Sequence, residues 1–319
     1  MIFKIMIAAV AAFIIALLAF PVFIKRMKVL QYGQQIREDG PRRHSVKAGT
    51  PTMGGIVIIS AAVLVSIILA GFSYPFAAVL PVAVGCGLIG FFDDYFKVAH
   101  SRSLGLKART KIILQLVVAA IFILLLRHSG IYSPEVVLPF LNTAINLGLI
   151  YPLFVFLVII SATNSVNLTD GIDGLAAGTS IISLAAFTYI ATLAGMPAVA
   201  LFCAALAGAC LAFLIYNRYP ARIFMGDAGS LALGGAFAAV AVLSKAEFFL
   251  IIIGGVFVLE ALSVIAQVAC FQLTGRRILL MSPLHHHFEL KGWSEWRVAG
   301  TFWAAALVFA VVGTLAYSR

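Results

Sequence analysis

Charged side chains are scarce in this sequence. Only 11 % of its 319 residues are charged, 22 of them basic and 12 acidic, whereas 63 % are hydrophobic. The mean hydropathy is +1.09, and soluble domains usually have roughly 45–50 % apolar residues. A soluble globular protein is therefore excluded, and we predict that most of the chain lies in a membrane.

Cysteine is rare as well. Cys86, Cys203, Cys210 and Cys270 all fall inside apolar runs, where cysteine usually acts as a small packing residue. The sequence therefore indicates neither a disulfide framework nor a zinc site.

Long apolar runs fill the chain, and most approach the roughly 20 residues with which a helix spans a bilayer. Short polar segments separate them, with no internal repeat and no low-complexity tail. We predict an all-α polytopic protein with residues 1–319 in one domain. Its ten predicted spans are approximately 3–24, 54–72, 75–92, 110–127, 142–162, 174–194, 197–215, 229–244, 248–271 and 298–317.

The basic residues predict the orientation. Lys25, Arg26 and Lys28 follow the first run and only Lys4 precedes it, whereas a signal peptide carries its charges in front. The first run is therefore read as a retained helix. With ten spans, 18 Lys/Arg fall on one side and 4 on the other, so the first side is cytoplasmic and both termini face outside. This bias and anionic headgroups explain the +10 charge without a nucleic-acid partner.

The acidic residues gather on the same side. Nine of the twelve lie in or beside the predicted cytoplasmic loops 25–53, 93–109, 163–173, 216–228 and 272–297. The positive-inside rule takes little account of acids, so it does not explain this bias. We therefore expect an active-site cleft at the cytoplasmic face.

Two clusters flank the second and third spans. In HSVKAGTPTMGG (44–55), Lys47 and Thr52 precede a Gly-Gly entry into a helix, and an interfacial anchor is an equal alternative. In GFFDDYFK, Asp93 and Asp94 stand where the third span is predicted to leave the membrane. Carboxylates are unfavourable at a helix C-terminus, which favours a functional role for this pair over a solvated helix end.

The third cluster is TNSVNLTDGIDG (163–174). Asn164, Asn167, Asp170 and Asp173 are spaced by three, and a glycine follows each aspartate. Glycines there predict a turn or a broken helix, and polar backbone at membrane depth is tolerated where it lines a cavity. These side chains suit a sugar, a nucleobase or a cation. A hairpin turn explains one Asp-Gly, but not two together with two asparagines.

Two further clusters suit a metal and a phosphate. Asp227 in FMGDAGS lies between glycines at the start of the eighth span, where it either caps the helix or binds Mg²⁺. In MSPLHHHFELKGW, Ser282 is the expected N-cap of a short helix. Its histidines fan out by about 100° each, which argues against a shared zinc ion and favours an anion clamp over a plain surface loop.

Together the clusters predict a Mg²⁺-dependent transferase that joins a soluble phosphorylated donor to a lipid phosphate. Phosphoryl transfer needs mainly positioning and charge neutralisation, which these residue types supply. A secondary transporter is the rival hypothesis. It requires ionisable residues or broken helices near the midplane, where only Glu260 and Gln267 are candidates.

The motifs KAGTPTMGG, FFDDYFK, NSVNLTDGIDGLAAG, FMGDAGS and PLHHHFE occur in this order over essentially the whole chain. In these motifs the sequence resembles the polyprenyl-phosphate N-acetylhexosamine-1-phosphate transferase superfamily, and TPTMGG and PLHHHFE resemble its muramoyl-pentapeptide branch. The resemblance implies transfer of phospho-N-acetylmuramoyl-pentapeptide from UDP-N-acetylmuramoyl-pentapeptide to undecaprenyl phosphate, giving lipid I and UMP at a bacterial plasma membrane. Transfer from UDP-N-acetylglucosamine is the alternative, and a homodimer is left open.

The resemblance also implies roles for residues. Asp93, Asp94 and Asp227 are the expected catalytic residues: Asp227 holds Mg²⁺, and the other two bind or deprotonate the lipid phosphate. Attack on the donor is either direct or preceded by a covalent phospho-sugar on an aspartate. The implied donor-binding residues, with Phe224 stacking on uracil, are Lys47, Thr52, Asn164, Asn167, Asp170, Gly171, Ile172, Asp173, Asn217, Phe224, Gln267, His285, His286 and His287.

Overall fold

A computed structural model describes residues 1–30, 32–33, 49–71, 73–99, 105–141 and 143–318. Lys47 therefore lies outside the described residues. Helices dominate the described part of the chain, and one two-stranded hairpin interrupts them. The elements are α1 (Ile2–Val29), α2 (Gly55–Ala70), α3 (Tyr74–Ala99), α4 (Ala108–His128), β1 (Glu135–Leu138), β2 (Thr143–Asn146), α5 (Tyr151–Thr169), α6 (Leu175–Leu193), α7 (Pro197–Asn217), α8 (Gly226–Leu243), α9 (Glu247–Ile253), α10 (Gly255–Thr274), α11 (Leu284–Leu290) and α12 (Glu295–Tyr317).

The helices fit a polytopic membrane protein. Within the described ranges, nine helices are at least 18 residues long and apolar enough to cross a membrane. Helix α2 corresponds to the second predicted span but has only 16 residues. The predicted all-helical membrane fold is confirmed, and the hairpin was not predicted.

Several predicted boundaries are wrong. Helix α3 continues to Ala99 instead of ending at 92, and α5 covers 151–169 instead of 142–162. Residues 163–169 are therefore helical, not part of a loop. The polar end of α5 stays helical because Thr163, Asn164 and Thr169 each donate a side-chain hydrogen bond to a carbonyl four residues earlier.

The ninth predicted span is broken. Helix α9 ends at Ile253 and α10 begins at Gly255. A Cβ at position 255 would lie 2.6 Å from the Phe309 ring of α12. Glycine at this position therefore lets α10 and α12 approach this closely. The break therefore coincides with a close helix crossing that a hydropathy pattern does not reveal.

Helix α8 lies at the centre of the described part of the molecule, and every residue from Ala228 to Leu243 is buried. Its most extensive partner is α3. Small residues line this contact: Gly235 faces Cys86, and Gly87 faces Ala232. Small side chains let helix backbones approach closely in a membrane, and this crossing brings the first turn of α8 against the acidic end of α3.

Candidate active site

Three carboxylates meet where α3 crosses α8. Asp93 and Asp94 are buried on α3, and Asp227 lies in the first turn of α8. One carboxylate oxygen from each lies within 4.8 Å of the others. Gly90 permits this approach, because a side chain at position 90 would overlap the backbone carbonyl of Asp227. The predicted catalytic aspartates are thus brought together, and Asp93 and Asp94 lie inside α3 instead of after its end.

Two lysines bridge the carboxylates. The Nζ of Lys97 lies 2.6 Å from Asp93 Oδ2 and 3.1 Å from Asp227 Oδ2. The Nζ of Lys111 lies 2.9 Å from Asp93 Oδ1 and 2.8 Å from Asp227 Oδ2. Sequence reasoning gave these lysines no role. A signal was available for Lys97, which is four residues after Asp93, so that both lie on one helix face.

Backbone and amide groups fix each carboxylate. The amide of Leu106 donates to Asp93 Oδ1 at 2.7 Å, and that of Ala228 donates to Asp94 Oδ2 at 3.0 Å. Asn167 Nδ2 donates to Asp227 Oδ1 at 2.9 Å. These hydrogen bonds fix the three side chains relative to one another, so the cluster is preorganised.

The two predicted asparagines of α5 differ in position. Asn167 reaches Asp227 and also donates to Ser230 Oγ at 2.8 Å. Asn164 is exposed, and its Nδ2 donates to Ile160 O at 2.7 Å within its own helix. The structure therefore joins Asn167 to the acidic cluster and does not join Asn164 to it.

Residues 170–174 form a turn between α5 and α6. Gly174 has φ of 77°, which favours glycine. Asn217 Oδ1 accepts from Gly174 N at 2.9 Å, and its Nδ2 donates to Ile223 O at 2.9 Å. Asp173 Oδ2 accepts from Ala221 N at 2.9 Å. Asn217 and Asp173 thus tie this turn to the segment before α8, and the predicted turn at both Asp-Gly steps is confirmed.

Asp170 and Ile172 lie in the same turn. Ile172 is buried against α12. Burial, and then the negative charges of Asp227, Asp94 and Asp173, raise the pKa of Asp170 to about 8. Removing a carboxylate from water disfavours its charged form, so the protonated form of Asp170 is favoured at neutral pH.

Thr52 and Phe224 belong to two paired segments. Phe224 N donates to Pro51 O at 2.8 Å, and Gly54 N donates to Phe224 O at 2.9 Å. The pairing places buried Thr52 beside Asp94, since both side chains border Gly226. Phe224 is half-buried, and its backbone pairs with the residues that flank Thr52.

The histidines occupy the short helix α11, whose N-terminus is held by Glu260 of α10. Glu260 Oε2 accepts from Leu284 N at 2.7 Å, and Oε1 accepts from His285 N at 3.3 Å. The short helix is confirmed, but the predicted N-cap Ser282 is wrong, since Pro283 occupies that position without a side-chain cap. Glu260 satisfies backbone amides that the helix start leaves unpaired.

The three histidines are held differently. His285 is fully buried with Nδ1 3.1 Å from Glu260 Oε1. His286 Nδ1 lies 2.7 Å from Glu289 Oε2, and His287 Nδ1 accepts from Leu280 N at 3.1 Å. Burial, and then Lys291, lower the pKa of His287. Gly171 lies directly against the His285 ring, which joins this motif to the turn.

Gln267 uses its amide to hold the loop before α11. Its Oε1 accepts from Ile278 N at 3.0 Å and Leu279 N at 2.9 Å, and its Nε2 donates to Leu279 O at 3.1 Å. Glu260 and Gln267, the candidates for a transport pathway, thus both bind backbone near α11. A donor-binding role for Gln267 stays a prediction.

Comparison with known proteins identifies the family. Residues 76–245 match the model of glycosyl transferase family 4, and residues 47–59 match phospho-N-acetylmuramoyl-pentapeptide-transferase signature 1. A phospho-N-acetylmuramoyl-pentapeptide-transferase of Geobacillus kaustophilus is 50 % identical over 313 residues, 97 % of this chain and 96 % of the relative. The chain belongs to the phospho-N-acetylmuramoyl-pentapeptide-transferase family.

Other members of the phospho-N-acetylmuramoyl-pentapeptide-transferase family are similar in sequence to this chain over nearly their whole length. The relative from Halalkalibacterium halodurans is 50 % identical over 95 % of this chain and 94 % of its own. That from Desulfitobacterium hafniense is 48 % identical over 98 % of each chain. The resemblance read from the motifs is confirmed, and the matched range 76–245 contains the three aspartates and both bridging lysines.

Proposed function

We propose that this chain transfers phospho-N-acetylmuramoyl-pentapeptide from UDP-N-acetylmuramoyl-pentapeptide to undecaprenyl phosphate, forming lipid I and UMP. The observation that carries the proposal is the cluster of Asp93, Asp94 and Asp227, bridged by two lysines, in a member of this family. A site built from carboxylates and ammonium groups suits the binding of a metal together with phosphates.

The carboxylate cluster fits Mg²⁺. Mg²⁺ prefers oxygen ligands and takes one or two carboxylates together with phosphate oxygens, and three carboxylates here come within 4.8 Å of one another. Asp227 is our choice of ligand, with Asp93 and Asp94 in reach. Bound there, Mg²⁺ supplies charge neutralisation for the donor pyrophosphate.

The lysines suit the acceptor phosphate. Asp93 already accepts from two ammonium groups and a backbone amide, so we assign it to holding Lys97 and Lys111 where they attract the lipid phosphate. A phosphate monoester has its second pKa near 6 and is mostly a dianion at neutral pH. It therefore needs no strong base, which favours direct attack over a covalent intermediate.

In direct attack, an oxygen of the lipid phosphate forms a bond to the β-phosphorus of the donor. The bond between that phosphorus and the bridging oxygen breaks, and its electron pair leaves with UMP. We place the donor along the turn at 170–173, with Thr52, Asn167 and His285 around it, because these groups border the acidic cluster or contact that turn. The residues that stay predicted donor contacts are Lys47, Asn164, Asn217, Phe224, Gln267, His286 and His287.

The orientation follows from charge. We place the acidic cluster at the cytoplasmic face of a bacterial plasma membrane and both termini outside, since 18 of 22 Lys/Arg fall on the side of the cluster. A soluble UDP-linked donor would reach the site from that side. Homodimer formation stays a prediction.

A transfer assay tests the function. Purified protein is given fluorescent UDP-N-acetylmuramoyl-pentapeptide or UDP-N-acetylglucosamine, with undecaprenyl phosphate, and with Mg²⁺ or with EDTA. We expect lipid-linked product from the first donor and only with Mg²⁺. Product from the second donor alone would support the alternative transferase, and full activity in EDTA would remove the metal from the proposal.

A further inference from the structure

Glu260 is a carboxylate inside a helix that is apolar enough to cross a membrane, and it is fully buried. An isolated charge in such a place is costly, so its environment must compensate. The donors it receives are the backbone amides of Leu284 and His285 and the Nδ1 of His285. All three come from α11, so this one side chain holds the histidine helix against α10.

The contact determines the state of the His285 ring. Both oxygens of Glu260 accept from backbone amides, so we assign Nδ1 of His285 as the donor of its hydrogen bond to Oε1. The ring's other nitrogen, Nε2, is buried and has no hydrogen-bond partner among the described residues. Nε2 faces Gly171, where a side chain would overlap it. Nδ1 of the imidazole is thus held by Glu260, and Nε2 points toward the turn at 170–174.

We propose that Glu260 is a positioning residue for the transfer reaction, which orients His285 and fixes its tautomer so that Nε2 serves the turn where the donor binds. The inference rests on the proposed function, which places the donor at that turn. Carboxylate–imidazole pairs of this kind fix ring orientation in metal sites, where loss of the carboxylate typically lowers activity about 10- to 100-fold.

Glu260→Gln is the principal test. A carboxamide still accepts from Leu284 N through its oxygen, but it presents an NH₂ group to Nδ1, which then must accept. We expect kcat/KM for the UDP-linked donor to fall about 10- to 100-fold, with KM for the lipid phosphate unchanged. Glu260→Asp keeps the charge and is expected to recover part of the loss. Ser263→Ala, one turn away on α10 with its hydroxyl donating to Glu260 O, is the matched control and should behave as wild type.

A double-mutant cycle separates positioning from general structural damage. If Glu260 acts through His285, Glu260→Gln added to His285→Ala should lower kcat/KM no further, since residues that act as one unit are not additive. Additive losses, or wild-type kinetics in Glu260→Gln, would overturn the proposal.

Nitrogen NMR reads the ring directly. Protein labelled with ¹⁵N-histidine has six imidazoles, and the signal of His285 is the one lost in His285→Gln. We expect a fixed Nδ1–H tautomer in wild type and the Nε2–H tautomer in Glu260→Gln. An unchanged tautomer in Glu260→Gln would refute the positioning role, whatever the activity of the protein. Absence of lipid-linked product from the wild-type protein would instead refute the proposed function.

Discussion

Asp227 and Asp93 share both lysines but differ in their remaining partners. Asp227 accepts a hydrogen bond from Asn167 and forms ion pairs with Lys97 and Lys111. It lies in the first turn of α8, where the next residue, Ala228, donates its backbone amide to Asp94. Besides the two lysines, Asp93 is held by the backbone amide of Leu106. The two aspartates should therefore fail in different ways when they are neutralised.

Asp227→Asn is expected to abolish turnover. The variant keeps an oxygen for Asn167 but loses the charge that would hold Mg²⁺ and the lysines, and loss of one such electrostatic contact costs about 10²- to 10³-fold or more in kcat.

Asp93→Asn should lose turnover while donor binding, measured by calorimetry, stays near wild type. Loss of donor binding in Asp93→Asn would contradict this division. Glu135→Gln makes the same chemical change at an exposed site on the hairpin and should leave activity unchanged.

Asp170 should make the protein less stable as pH rises. Its pKa is about 8 in the folded protein and about 4 when unfolded, so between these values the folded state binds more protons and the free energy of unfolding falls with increasing pH. Asp170→Asn cannot ionise. In EDTA, its Tm relative to wild type should increase from pH 5 to pH 8 and level off above. A difference that stays constant across this range would show that the pKa is not raised.

Gly90 lets the acidic end of α3 approach the first turn of α8. An added Cβ would overlap backbone atoms of Asp227 and Ala228, which cannot rotate away. Gly90→Ala should separate the helices, reduce stability by about 1–3 kcal/mol, as overpacking typically does, and strongly reduce transfer. The matched control is Gly300→Ala in α12, where a new Cβ meets nothing within 4 Å; there we expect equal or higher stability. Equal Tm and activity in both variants would contradict the role of the α3–α8 crossing.

Hydropathy predicted the long helices well and their polar ends poorly. The pattern ended α3 before Asp93 and α5 before Asn164, because it treats a polar residue as the end of a span. In the protein, Thr163 and Asn164 bond their own helix, and Asp93 is neutralised by lysines from α3 and α4. Those partners depend on tertiary contacts, which a one-dimensional pattern does not contain.

Most residues of the candidate site could be predicted from the sequence, but the contacts between them could not. The spacing of charges and glycines identified Asp93, Asp227 and the histidines, but not that Glu260 binds His285 from another helix 25 residues away in sequence. Buried pairs of this kind depend on helix packing. The sequence marks Glu260 only as an ionisable residue near the middle of a predicted span, where a charge is costly.

The orientation of the whole molecule can be tested with single cysteines. Lys291 follows α11 and Thr143 begins β2, and both are exposed. The charge bias places Lys291 inside and Thr143 outside. In a Cys270→Ser background, where the remaining three cysteines are buried, a membrane-impermeant maleimide should label Thr143→Cys in intact protoplasts and Lys291→Cys only in inverted vesicles. Because α11 contacts the turn at 170–174, labelling of Lys291→Cys in intact protoplasts would place the candidate active site outside, where no cytoplasmic UDP-linked donor could reach it.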